Sequence, residues 1–221
     1  ESGLCYPFPM IILGIAMNRY ARLIWPALFT LLCFVLFLGA KAESAAPLSA
    51  AQCRRPSLPA PGENSIAVGS VEELFEAVRQ ANSGGNMTIL IKNGTYMLKQ
   101  QLVIRADRVT VRSLSGRRDD VILRGEGMTG SVSHVFEVMG KSFTAADLTI
   151  GSVRNHGIQI HGELDADFPL IHNVHIVNTG EQMIKVSGGA RPGASSDGGI
   201  VEWCVFQYLS GVGPQYYIGG I

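Results

Sequence analysis

The spacing of apolar residues changes partway along this chain. Val71, Leu74, Phe75 and Val78 recur at three- and four-residue intervals, the spacing of one helical face. Ser70 precedes them, and Glu73 follows it three residues on, the reciprocal pattern of a capping box. A short amphipathic helix is therefore predicted over Val71–Ala81, ended by Ser83-Gly84-Gly85-Asn86. From Met87 onward the period is two. Met87-Thr88-Ile89-Leu90-Ile91 predicts a strand, Lys92-Asn93-Gly94 a turn, and Thr95-Tyr96-Met97-Leu98 a second strand. Short β runs parted by Gly, Asn and Asp follow, with no further helical pattern.

These runs repeat. Ile158 and Ile184 stand at an offset of 26, and the same offset carries Ile160 to Val186, Leu148 to Val174 and Ile150 to Ile176. Two separate strand patterns thus recur together. Val109-Thr110-Val111 and Val121-Ile122-Leu123 read as an earlier lap, the latter aligned with Ile158-Gln159-Ile160. Cys204-Val205-Phe206 begins a further lap beyond Val174. Laps of short strands with loop insertions are the signature of a solenoid. Side-chain alternation puts Val121, Ile158 and Ile184 in one inward column and Leu123, Ile160 and Val186 in another. Each lap buries its apolar face only against its neighbours, so the stack needs a cap, and the Val71–Ala81 helix is placed to cover the first rung.

The Ser-Val-Glu-Glu-Leu helix start at Ser70, Thr-Ile-Leu-Ile-Lys-Asn-Gly-Thr-Tyr at Thr88, and the later laps around Val109 and Val121 resemble secreted right-handed parallel β-helix proteins. These form the pectate-lyase-like superfamily, and the opening is most similar to its chondroitinase-B and alginate-lyase branch. The likeness runs from about Ser65 to the end. It implies an all-β fold, a right-handed parallel β-helix (a solenoid) with a short N-terminal capping α-helix. It also implies a carbohydrate-active protein acting on acidic polysaccharide by β-elimination. Such folds also include non-enzymatic binders and structural solenoids, so fold does not fix chemistry.

Elimination from a uronate needs a base for the proton α to the carboxylate, positive charge for the enolate-like state, and a donor to the leaving oxygen. With Ile158, Ile160, Ile184 and Val186 inward, Gln159 and Lys185 face outward on adjacent rungs. Gly180-Glu181-Gln182-Met183-Ile184-Lys185-Val186-Ser187 resembles the Gly-Glu…Lys-Ser stretch of chondroitinase-B-like lyases. That resemblance implies Lys185 as base and Glu181 as a calcium ligand, although the Glu-to-Lys spacing is shorter here. His175 is a second candidate catalytic group, and Gln159, His161 and Gln182 are candidates for binding sugar. Glu163, Asp165 and Asp167 stand at alternate positions after a strand, hard oxygen ligands that suit Ca²⁺. A solvated lysine, a solvated acidic loop and turn histidines bonded to backbone are the alternatives that the residues leave open.

The chain's front changes the compartment. Met17–Arg22 is a basic lead-in, Leu23–Ala40 is apolar throughout, and Ala40-Lys41-Ala42 has the form of a signal-peptidase site, which predicts a signal over 17–42 and a secreted or periplasmic product. A retained membrane anchor is the other reading. Residues 1–16 fit no signal layout and read as read-through or an artefact. Residues 43–64 read as a Pro/Ala/Ser-rich linker, and 65–221 are expected to form the β-helix domain, expected also to be cut at its C-terminal end. Without residues 1–42 the chain has 15 basic and 17 acidic residues, so no basic field points to nucleic acid. The expected partner is an acidic polysaccharide, the expected state a monomer without a stable membrane span. Cys53 and Cys204 could pair, or Cys204 could be a buried free thiol.

Overall fold

A computed structural model of the chain describes residues 55–189, 193–213 and 215. The predicted signal, the residues before it, Cys53 and the predicted linker up to residue 54 lie outside the described residues.

The described part is mainly β, in parallel sheets, with one α-helix. Strand β1 (Ser65–Val68) leads into helix α1 (Val71–Gly84). Ser70 Oγ accepts from the Glu73 amide at 3.1 Å, and the Glu73 carboxylate accepts from the Gly69 amide at 2.6 Å. The N-cap half of the anticipated capping box is present, while the return bond from Glu73 goes to the amide of the residue before the N-cap. The helix runs past its predicted end to Gly84, because Gly85, at φ 66°, closes it by donating to Ala81 O. Leu74, Ala77, Val78 and Ala81 are its buried face.

The remaining described strands are β2 (Met87–Ile91), β3 (Gly94–Met97), β4 (Leu102–Ile104), β5 (Val109–Ser113), β6 (Val121–Arg124), β7 (His134–Val138), β8 (Thr144–Val153), β9 (His156–His161), β10 (Leu170–Thr179), β11 (Ile184–Ser187), β12 (Ile200–Glu202) and β13 (Val205–Gln207). Each pairs in parallel with a strand one lap away. In the nine-stranded sheet Thr88, Thr110, Thr144, Leu170 and Ile200 stand in register, although the laps between them differ in length. In the four-stranded sheet, ordered β11-β9-β7-β4, the register runs Leu102, Phe136, Ile158, Ile184.

The predicted partners Ile158 and Ile184, Ile160 and Val186, Leu148 and Val174, and Ile150 and Ile176 are all present as pairs. The predicted lap into β13 is present as His175 beside Val205. The alignment of Val121 with Ile158 is overturned. Val121 pairs with Gly94, and Leu123 with Tyr96 and Ile150, all in the large sheet. The columns over Ile158 and Ile160 are completed instead by Phe136 and Val138. The physical reason is that one lap contains several strands with the same apolar beat, so the beat alone does not say which wall a strand joins. Val186 closes its column at the sheet edge and is 47 % exposed, not interior.

The interior is apolar. Leu102, Ile104, Val111, Leu123, Phe136, Val138, Leu148, Ile150, Ile158 and Ile176 are all fully buried. Long strands β8 and β10 each carry a left-handed residue partway along, Asp147 at φ 57° and Asn173 at φ 53°, and Trp203 repeats it at φ 59° between β12 and β13. Short polar side chains tolerate this conformation best. Asn173 Nδ2 donates to Asp147 Oδ1 at 2.8 Å, one lap to the next, so the bends are stacked and cross-linked.

Asn82, near the end of α1, acts on the free edge of β4. Its amide donates to Val103 O at 2.7 Å and its oxygen accepts from the amides of Arg105 (2.7 Å) and Ala106 (3.3 Å). One side chain thereby satisfies edge groups that a preceding strand would otherwise pair. β1, which the sequence pattern did not reveal, gives the large sheet its own outermost strand. Among the described residues no helix is long and apolar enough to cross a membrane. Cys204 is a free thiol whose pKa is pushed up to about 11, first by burial.

Candidate functional site

The outer face of the four-stranded sheet carries the polar chemistry. Phe136, Val138, Ile158, Ile160 and Ile184 are the apolar inward positions of β7, β9 and β11, so the residues alternating with them point out. Parallel register then lines up Val103, Glu137, Gln159 and Lys185. The expected neighbours Gln159 and Lys185 do stand side by side, although Gln159 is only 7 % exposed. Lys185 is exposed and makes no hydrogen bond or ion pair to another described residue.

A linked network shields Gln159. Gln101 Nε2 donates to Glu137 at 2.7 Å. His161 lies between two carboxylates, with Nε2 3.1 Å from Glu137 Oε1 and Nδ1 2.6 Å from Glu163 Oε1. Ser187 Oγ donates to the other oxygen of Glu163, and Gln159 Nε2 donates to Ser187 Oγ at 3.2 Å. Burial alone would raise the Glu163 pKa, but the hydrogen bonds from Ser187 and His161 bring it down to about 2.

A second cluster stands at the starts of the same strands, where His134 and His156 share the parity of the inward residues Phe136 and Ile158. The rings of His134 and His156 stack with centroids 5.1 Å apart and planes within 5°. His134 Nδ1 accepts from the His156 amide at 3.3 Å. His156 Nδ1 donates to Gln182 O at 2.9 Å, and its Nε2 is 3.3 Å from Glu181 Oε2. Asn155 Nδ2 donates to Glu181 Oε1 at 2.8 Å. Burial, then the neighbouring His156, lowers the His134 pKa to about 4. His156 is also lowered by burial, against the opposing pull of the Gln182 carbonyl and Glu181. Gln182 and Lys185 also border a cavity of about 410 Å³ whose walls include Ile160, Ile171, Ile184 and Ile200.

The structure thus brings Lys185, Gln159, His161, Gln182, Glu181 and Glu163 to one sheet. It puts His175 elsewhere: on β10 in the large sheet, beside Thr149 and Val205, with its Nε2 3.0 Å from Gln207 Oε1. The acidic residues do not converge as calcium ligands. Glu163 is held by His161 and Ser187. Asp165 takes a left-handed conformation that ends the 3₁₀ turn Gly162–Leu164. Asp167 is bound by Lys141 Nζ at 2.7 Å and by the Asp197 amide at 3.1 Å, which keeps it below the usual carboxylate pKa. Glu181 is occupied by Asn155 and His156. Among the described residues no three His, Cys, Asp or Glu side chains gather into a metal-holding group. These donors do not fit a calcium ion.

Glu137, His134 and Asn155 belong to the site, and the sequence pattern did not reveal them. Their signal is lap register: Glu137 precedes Gln159 by the same step that separates His134 from His156. That step is shorter than the one from Ile158 to Ile184, so a search at the longer offset passes over Glu137 and His134, whereas Asn155 does stand at that longer offset from Glu181. Comparison of the chain with protein-family models, with curated proteins and with solved structures found no match.

Proposed function

We propose that the stacked laps coil as a right-handed parallel β-helix of the pectate-lyase-like kind, and that the outer face of the four-stranded sheet binds an acidic polysaccharide and cleaves it by β-elimination. The protein would act outside the cell, as the signal-like front of the chain suggests. The observation carrying the reading is the row Glu137, Gln159, Lys185, which ends in an exposed amine beside a pre-set hydrogen-bonding network. The stacked left-handed bends at Asp147, Asn173 and Trp203 support the coil, because they turn three successive laps at the same point.

In this reading Lys185 removes the proton α to the uronate carboxylate. The electron pair forms the new carbon–carbon double bond and the glycosidic carbon–oxygen bond breaks. The ammonium so formed on Lys185 supplies the positive charge beside the enolate-like state, and its proton then goes to the leaving oxygen. Gln101, Glu137, His161, Glu163 and Ser187 hold the floor of the groove, since each is fixed by its neighbours before sugar arrives. No step is assigned to a metal.

A second reading, a carbohydrate-binding surface without cleavage, is favoured by one observation. Glu137, His161, Glu163 and Ser187 already satisfy one another, so the row is complete as a contact surface. One assay separates the two readings. The chain is incubated with alginate, pectate and chondroitin, with added calcium and with chelator. Unsaturated product absorbing in the ultraviolet supports the lyase. Retention on a polymer column without product supports the binder. Neither outcome, in both metal conditions, removes the carbohydrate reading.

A further inference from the structure

A cavity of about 520 Å³ lies between α1 and the start of the four-stranded sheet, and Phe75, Val78, Arg79, Gln100, Gln101 and Arg105 are among the residues that line it. It belongs to the same outer face as the candidate site. Val103, also in its wall, is in register with Glu137, and Gln101 lines the cavity while donating to Glu137. From β4 to β11 there are three strand spacings, about 14 Å at 4.7–4.9 Å each, which is room for several sugar units.

The chemistry of the cavity is selective. Arg79 is neutralised by Glu76, to which it donates from Nε at 2.8 Å and from a second nitrogen. The Arg105 guanidinium is exposed and has no hydrogen bond or ion pair to another described residue. Its backbone is nonetheless fixed, because Asn82 accepts from the amides of Arg105 and Ala106. Gln100 adds an exposed amide, and Phe75 and Val78 supply an apolar wall. An unpaired guanidinium on a fixed backbone, beside an aromatic ring and an amide, matches a sugar ring bearing a carboxylate. The guanidinium takes the carboxylate in a forked pair, and the ring's apolar face lies on the phenyl group.

We infer that this cavity is a second, distal subsite for a uronate unit, at the opposite edge of the same wall from Lys185, and that Arg105 reads its carboxylate. The inference rests on the proposed carbohydrate reading and adds the chain length that the surface recognises. A ligand long enough to reach from Lys185 to Arg105 should bind better than a short one, and the gain should depend on Arg105.

The test is calorimetric titration of the full chain with uronate oligomers of graded length, from galacturonate and from alginate, against Arg105→Ala and Arg105→Lys. The expected result is an affinity that rises with length in the wild type. Arg105→Ala should lose about tenfold on the longest oligomers, the effect of one charge-assisted contact, and nothing on the shortest. Arg105→Lys should recover only part of the loss, because it lacks the fork. A thermal melt checks that both variants fold. Equal binding of long oligomers by wild type and Arg105→Ala overturns the distal subsite while leaving the Lys185 region intact as a sugar site. Absence of binding to any oligomer by the wild type overturns the carbohydrate reading itself.

Discussion

Glu137 reaches from β7 to His161 on β9, with 3.1 Å between its carboxylate and the imidazole Nε2, while its second oxygen accepts from Gln101 at 2.7 Å. Glu137→Ala would leave both partners without that acceptor in a partly buried setting. The expected loss is about 1–3 kcal/mol, the cost of leaving buried polar groups unpaired, read as a lower urea midpoint with an unchanged slope. Glu137→Gln should lose less, since it keeps an acceptor oxygen. A midpoint unmoved by Glu137→Ala would show that the network contributes nothing to the floor of the groove.

Lys185 is exposed and bonds to no described partner, so its removal should spare the fold. Lys185→Ala is expected to leave stability within about 0.5 kcal/mol of wild type, as for ordinary surface substitutions. If Lys185 is the base, product formation on the accepted polymer should fall by about 10²–10⁴-fold, the usual contribution of a positioned acid or base. Undiminished turnover by this variant would remove Lys185 from the chemistry.

Asn82→Ala tests the edge device at β4. Three backbone groups lose a side-chain partner, and an uncovered strand edge is a template for pairing with another chain. The variant should melt earlier and should associate at high concentration, as followed by light scattering. A variant that melts like wild type and stays monodisperse would mean that water replaces Asn82 fully.

Stability should decline on mild acidification. His134 titrates near 4 in the folded chain, below the value of about 6.5 expected when unfolded. Between these values the unfolded chain binds more protons, so the stabilisation is full above about pH 6.5 and is lost as pH falls toward about 4. His156 shifts in the same direction and adds to the effect, whereas Glu163, near 2, titrates below this window. Melting temperatures recorded across the window should drop less steeply for His134→Gln than for wild type. Parallel curves would refute the assignment.

The sequence pattern carried much of the architecture. The period change at Met87, the capping box at Ser70 and the step from Ile158 to Ile184 each correspond to a feature of the structure, because aliphatic side chains that stack between laps must recur with the lap. What escaped was the identity of the wall. Val121-Ile122-Leu123 and Ile158-Gln159-Ile160 have one beat but occupy different sheets, and the true neighbour of Ile158 was masked by an aromatic, Phe136. The site was legible where it fell within one lap step, as with Gln159 and Lys185. Glu137 was not, because its lap is shorter. His175, expected beside Lys185 as a second catalytic candidate, belongs to the other sheet, since nothing in a histidine's identity tells which wall its strand joins.

The unequal laps have a last consequence. The path from Thr88 to Thr110 is much shorter than the path from Thr110 to Thr144, yet both pairs sit in register on one wall. The surplus goes into excursions that leave the ladder undisturbed. A scaffold of this kind is tolerant of grafts: whole loops can be lengthened, exchanged or deleted at the margins of a lap while the hydrocarbon spine keeps its alignment.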